Sequence, residues 1–169
     1  KGVVNYSQSR AINYKKEVEI MENTIELLQK IGNKILNQAN IHDLVALNFE
    51  AQVFSKLGDK YKSHASEERD FSQKLFNRIL DLGGKICYQN QVSFEMPASP
   101  LEWLRHDLEV SKEGLEELLP LVGAVSNDLV TYDLLKAYYK DEDDDLQWAQ
   151  QQLDLIDTVG YQNWLTQQL

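Results

Sequence analysis

The chain has 169 residues, 43% of them hydrophobic, and a formal charge of −10. That length suits one domain with a substantial core and is rather short for two. The charge argues against nucleic acid and anionic membranes as partners, and no window approaches the roughly 18 continuous apolar residues of a membrane span.

Residues 1–14 show no stable apolar period and read as an N-terminal arm, leaving residues 15–169 as one helical-bundle domain. From Tyr14 to about Asn48 a stripe runs Met21, Ile25, Leu28, Gly32, Ile35, Ala39, His42 in steps of three and four, which predicts a long first helix. A second stripe passes through Phe54, Leu57, Tyr61, His64, Glu68, Phe71, Leu75, Ile79 and Leu82, and Gly83-Gly84 ends it. Glu68 is therefore central and inward-facing.

The connection from Lys85 to Ser99 is long enough to cross the length of a bundle. Ser99-Pro100-Leu101-Glu102 then supplies an N-cap, a proline at the first helical position and a capping box. Leu104, Leu108, Ser111, Leu115 and Leu118 mark the inner face of the third helix, which Pro120 is expected to kink or end. Ser126-Asn127-Asp128 starts the fourth helix, Gly160 stops it, and Tyr161–Leu169 forms a short fifth segment. The expectation is an all-α, antiparallel four-helix bundle with one long crossover and a short fifth C-terminal helix, the ferritin-like arrangement.

The acidic run in Lys140–Trp148 interrupts the fourth stripe, which passes Thr131, Leu135 and Tyr138 and resumes at Ala149, Leu153 and Ile156. The spacing closes only if Glu142 and Asp145 fill the gap and point inward. Asp141, Asp143 and Asp144 fall off that line and read as a solvated face. Inward carboxylates without a partner repel each other and lose hydration, so something positive or hydrogen-bonding must sit among them. A metal ion, His42, shared protons, and waters held by Ser111, Tyr138 and His42 all qualify.

These residues resemble the bacterioferritins within the ferritin family. Glu67-Glu68-Arg69-Asp70-Phe71 through Asn77-Arg78-Ile79-Leu80 is similar to that family's helix with Glu-x-x-His before an Arg-Ile-Leu segment. Asp154-Leu155-Ile156 and Gly160-Tyr161-Gln162-Asn163-Trp164-Leu165 are similar to its last turns and fifth helix. The resemblance implies a hollow multi-subunit cage that oxidises and stores iron at a di-iron site inside each bundle.

That site takes a Glu from each of two helices and a Glu-x-x-His pair from each of the others. By resemblance its positions fall on Ile35, Glu68, Phe71, Ser111, Glu142 and Asp145, so the standard ferroxidase set is mostly absent. The methionine that ligates haem in bacterioferritins corresponds to Arg69, so no haem is expected. One reading of the remainder is a single iron, manganese or zinc ion on Glu68, Glu142, Asp145 and His42. The other is a protonated or hydrated polar remnant of a lost site. His64 lies a turn before Glu68 as a ligand or an assembly-surface residue, and His106 sits at the stripe's edge. Trp148 and Trp164 read as packing anchors.

The functional expectation is a bacterioferritin-like subunit of an iron-storage assembly, structural or iron-binding, with no catalytic residue of its own assigned. It would pair with itself or with a paralogous ferritin subunit in a cage. Two alternatives stay open, a metal-dependent oxidase or oxygenase with a remodelled site, and a ferritin-fold interaction module using the arm. The single cysteine, Cys87, fits a reducing compartment, and the expected location is cytoplasmic.

Overall fold

Four stretches of three-four apolar spacing become four long helices because each can bury its stripe only against the others. The computed structural model describes residues 3–90 and 93–169, with side chains described from Ala11 on. The helices are α1 (Val3–Ala51), α2 (Ser55–Asp81), α3 (Pro100–Ala124) and α4 (Leu129–Val159), followed by a short α5 (Tyr161–Thr166). No strand occurs among the described residues. No described helix is long and apolar enough to cross a membrane.

Short turns join α1 to α2 and α3 to α4, making two antiparallel hairpins that the crossover connects. Ser99 caps α3 by accepting from the Glu102 amide at 3.2 Å, and the Glu102 side chain reaches back to accept from the amide of Ala98, one residue before the cap. Asp128 caps α4 by accepting from the Thr131 amide. Arg78, in the last turn of α2, donates to both oxygens of that same Asp128 at 2.9 and 2.8 Å, locking the two hairpins together at one end.

The core has two apolar layers. One gathers Leu28, Ile35, Leu75, Ile79, Leu118 and Leu135 toward the α3–α4 turn. The other gathers Val45, Phe49, Leu57, Trp103, Ile156 and Trp164 toward the opposite end. Trp164 from α5 is fully buried and donates its indole N–H to Gln152 at 3.1 Å, which fastens the fifth helix to the bundle. Between the layers lies a polar stratum.

The described residues of the crossover have no secondary structure of their own, so their backbone groups need other partners. Amides one turn apart on α1 supply them. Gln29 donates to the Cys87 carbonyl at 2.6 Å and accepts from the Cys87 N–H at 2.8 Å. Asn33 donates to the same carbonyl at 2.9 Å and accepts from the Gln89 N–H at 2.8 Å, and Asn37 reaches the Gln89 carbonyl at 3.3 Å. Asn33 is the buried member. Replacing it with alanine leaves the Gln89 N–H without its partner and the Cys87 carbonyl with Gln29 alone, and should cost about 2 kcal/mol. A urea midpoint unchanged from the parent would show that the ladder holds nothing.

Two expectations need correction. The stretch expected as an arm is helical from Val3 onward, because no glycine or proline interrupts the chain before Gly32 and nothing stops the helix. It lacked an apolar signature because residues 11–17 are all exposed. Of the two effects expected of Pro120 near the last turns of α3, it does not end the helix, which runs on to Ala124. So near the C-terminus the proline removes little of the hydrogen-bond ladder, and packing of Val122 in the core holds the final turn.

Candidate functional site

The polar stratum forms where each stripe switches from aliphatic to ionisable residues at the same height of the bundle. α1 contributes His42, α2 contributes His64 and Glu68, α3 contributes Asp107 and Ser111, and α4 contributes Tyr138, Glu142 and Asp145. These residues line one cavity of about 50 Å³.

His42 is its hub. Its Nδ1 lies 2.8 Å from Glu68 Oε2 and its Nε2 lies 3.3 Å from Asp107 Oδ1, so both ring nitrogens face carboxylates. Burial by itself pushes an imidazole toward the neutral form. Here the Glu68 charge and the bonds to Asp107 and Glu68 outweigh it, and the pKa rises to about 10. The two carboxylates therefore favour the protonated ring, and Gln38 Nε2 lies 3.2 Å from the Nε2 that faces Asp107. Tyr61 completes the chain by donating its hydroxyl to Asp107 Oδ2 at 2.9 Å, and burial beside that carboxylate keeps the phenol strongly protonated.

Glu142 sits across the cavity without a cation of its own. Burial, and then the charge of Glu68, lifts its pKa to about 8 against the opposing pull of the Tyr138 hydroxyl, so it is largely protonated at neutral pH. Glu68 is raised as well, by burial, with His42 pulling the other way.

Asp145 has a different environment. His64 Nε2 lies 2.8 Å from its Oδ1 but out of line for a hydrogen bond, so their contact is electrostatic. Lys60 Nζ lies 3.3 Å from the same oxygen and 5.0 Å above the Trp148 ring. Burial favours the neutral carboxyl, but His64 and Lys60 prevail and hold the Asp145 pKa below its usual value.

At the rim, oxygens of Glu67, Asp141 and Asp145 come within 4.8 Å of one another, the one such convergence of three or more possible ligand groups among the described residues. Burial and the charges of Asp145 and Glu67 raise the Asp141 pKa to about 6. Asp141, expected on a solvated face, is half-buried there. Hard divalent cations favour such an all-carboxylate arrangement.

The four residues singled out as possible ligands, Glu68, Glu142, Asp145 and His42, all line the cavity, with different neighbours. His42 pairs with Glu68, Asp145 lies against His64 and Lys60, and Glu142 lies near Tyr138. The other positions carried over by resemblance hold Ile35, buried in the core, Phe71, its ring tilted at 58° to that of Tyr138 with centroids 5.3 Å apart, and Ser111, lining the cavity. His64 is buried inside the bundle, whereas His106 is exposed against Trp103.

Asp107 and Tyr61 are the functional partners that sequence reasoning missed. Asp107 follows Trp103 by four residues and Leu104 by three, on the stripe that marked the buried face, and that spacing was the available signal. Arg69 is held by Asp43 at 2.5 Å and reaches Asn40 at 3.4 Å, tying α2 to α1.

Four long helices with one crossover, and an ionisable stratum at mid-height, define a ferritin-like bundle. The ferritin family, described by its ferritin-like domain, matches residues 25–159, and the chain belongs to that family as a divergent member. It is 31% identical over 124 residues to a bacterial ferritin of Pseudomonas aeruginosa, covering 72% of this chain and 80% of that one. A bacterial ferritin of Neisseria meningitidis is 29% identical over 119 residues, with 69% and 77% covered. A bacterioferritin of Streptomyces coelicolor is 25% identical over 144 residues, with 84% and 86% covered. Membership of this family points to an iron-storage subunit.

Proposed function

We propose that this chain is a subunit of a ferritin-type iron-storage assembly that lacks a standard ferroxidase centre and serves as a structural or iron-binding part of the shell. The observation that carries the reading is the residue set around the cavity. Ile35 and Phe71 offer no donor atom and Ser111 is a weak neutral ligand, so the residues present do not fit two irons bridged by carboxylates. Positive charge among the remaining carboxylates comes from His42 beside Glu68 and from Lys60 beside Asp145. Iron, as cargo, would meet the carboxylates of Glu67, Asp141 and Asp145 at the rim. Partner subunits would be further copies or a catalytically complete paralogue. The engagement of Arg69 by Asp43 supports a shell without the shared haem.

The test is anaerobic loading with ferrous ion followed by oxygen, beside a native mass measurement. A large assembly with slow oxidation and no fast phase is the expected result. Rapid oxidation saturating at two irons per chain, or a monomer only, would count against this reading.

A second reading, a remodelled metal-dependent oxidase or oxygenase, has one observation in its favour: Glu68, Glu142, Asp145 and His42 line the same cavity. It requires His42 to give up the proton that Glu68 and Asp107 favour. About one iron, manganese or zinc per purified chain, lost in Glu142→Ala, would select it.

A further inference from the structure

We propose that the part of α1 that overhangs the bundle pairs antiparallel with the same segment of a second copy of this chain. The overhang exists because α1 begins at Val3, whereas its first fully buried residue is Leu28. Residues 3–24 would extend roughly 33 Å at 1.5 Å per residue. Above Leu28 the core-facing stripe continues as far as Tyr14. Tyr14, Val18, Met21, Ile25 and Leu28 follow one another in steps of four, three, four and three, the spacing of a seam between two helices. Leu28 is 0% exposed, but Met21 is 38% and Tyr14 69% exposed, with Val18 half-buried between them, so most of the upper seam is open to solvent. Ile12 and Ile20 lie off the seam and take no part.

Charge identifies what covers it. Residues 1–16 contain Lys1, Arg10, Lys15 and Lys16 and no acid, whereas residues 17–29 contain Glu17, Glu19, Glu22 and Glu26 and no base. The segment is therefore a balanced dipole, positive then negative, with its boundary at Lys16–Glu17. A parallel partner would set like charge against like. An antiparallel copy sets each basic half against the other's acidic half, and the interface closes on itself about a two-fold axis. A partner of one charge sign, nucleic acid included, would be attracted by one half and repelled by the other.

The experiment uses the full chain with Cys87→Ser and a single new thiol, linked by a short bis-maleimide and read on a denaturing gel. Val18→Cys, on the seam, should give linked pairs at least tenfold more than Asn23→Cys, on the opposite face. Placing Lys15→Glu, Lys16→Glu and Arg10→Glu in the Val18→Cys chain should cut the yield about tenfold, as should Glu17→Lys, Glu19→Lys and Glu22→Lys. Mixing the two charge-reversed chains should restore it. Equal yields at Val18→Cys and Asn23→Cys, or a mixture that links no better than either chain alone, would overturn the proposal. Neither set of changes touches the described core, so loss of fold is separable by circular dichroism.

Discussion

Substituting His42 with alanine is expected to cost about 3–5 kcal/mol, enough to unfold much of a marginally stable population at neutral pH. The ring is the cation between Glu68 and Asp107, both of them buried. Removing it leaves two carboxylates facing each other across the space it vacates, with neither hydration nor counter-charge. The chain must then take up protons or water there, or open. His42→Gln makes a useful contrast, because a neutral amide keeps a donor for one carboxylate while removing the charge, and its loss should fall between parent and alanine. Urea unfolding at pH 7 measures the series. A His42→Ala midpoint equal to the parent's would mean that the polar stratum does not organise the bundle.

Stability of the metal-free protein should fall as pH rises from about 5 toward 10, the reverse of ordinary acid denaturation. Glu142 has its pKa raised from 4.5 to about 8, so between those values the folded chain holds a proton that the unfolded chain has released. Unfolding then releases protons, and rising pH favours it. Asp141, raised to about 6, adds the same sign between pH 4 and 6. His42, raised from 6.5 to about 10, contributes stability that is complete below pH 6.5 and lost as pH rises through 10.

Asp145 and Asp128 have lowered pKa values, so they act oppositely and only at the acid end. At about 1.4 kcal/mol per pKa unit, the Glu142 contribution is on the order of 5 kcal/mol across its window. Glu142→Gln, a neutral near-isostere, should flatten the profile between pH 5 and 8. A variant that keeps the parent's slope in thermal unfolding would assign that slope to another group.

The helices were legible because periodicity, caps and stops are local properties. Gly83 and Gly160, both at positive φ, end helices where the sequence placed their stops, and Ser99-Pro100 begins one as expected. Glu68 was legible as an inward residue for the same reason. Its pairing was not, since spacing tells which face a side chain occupies and not what meets it across the bundle. Asp107 therefore passed unnoticed beside the more conspicuous His106, and Asp141 was assigned to solvent because a helix wheel ignores Glu67 on the neighbouring helix. The helical start of α1 escaped because exposed helices carry no core stripe complete enough to separate them from loops.

The polar stratum is shared between the two hairpins. His42, His64 and Glu68 belong to the first, and Asp107, Glu142 and Asp145 to the second. Neither hairpin alone can surround these groups, so they surrender their water only when the hairpins meet. Hairpin formation relies on near neighbours in the chain, whereas docking must bridge the long crossover. The protonation state of Glu142 and His42 therefore bears on the contact between the two hairpins rather than on either hairpin by itself.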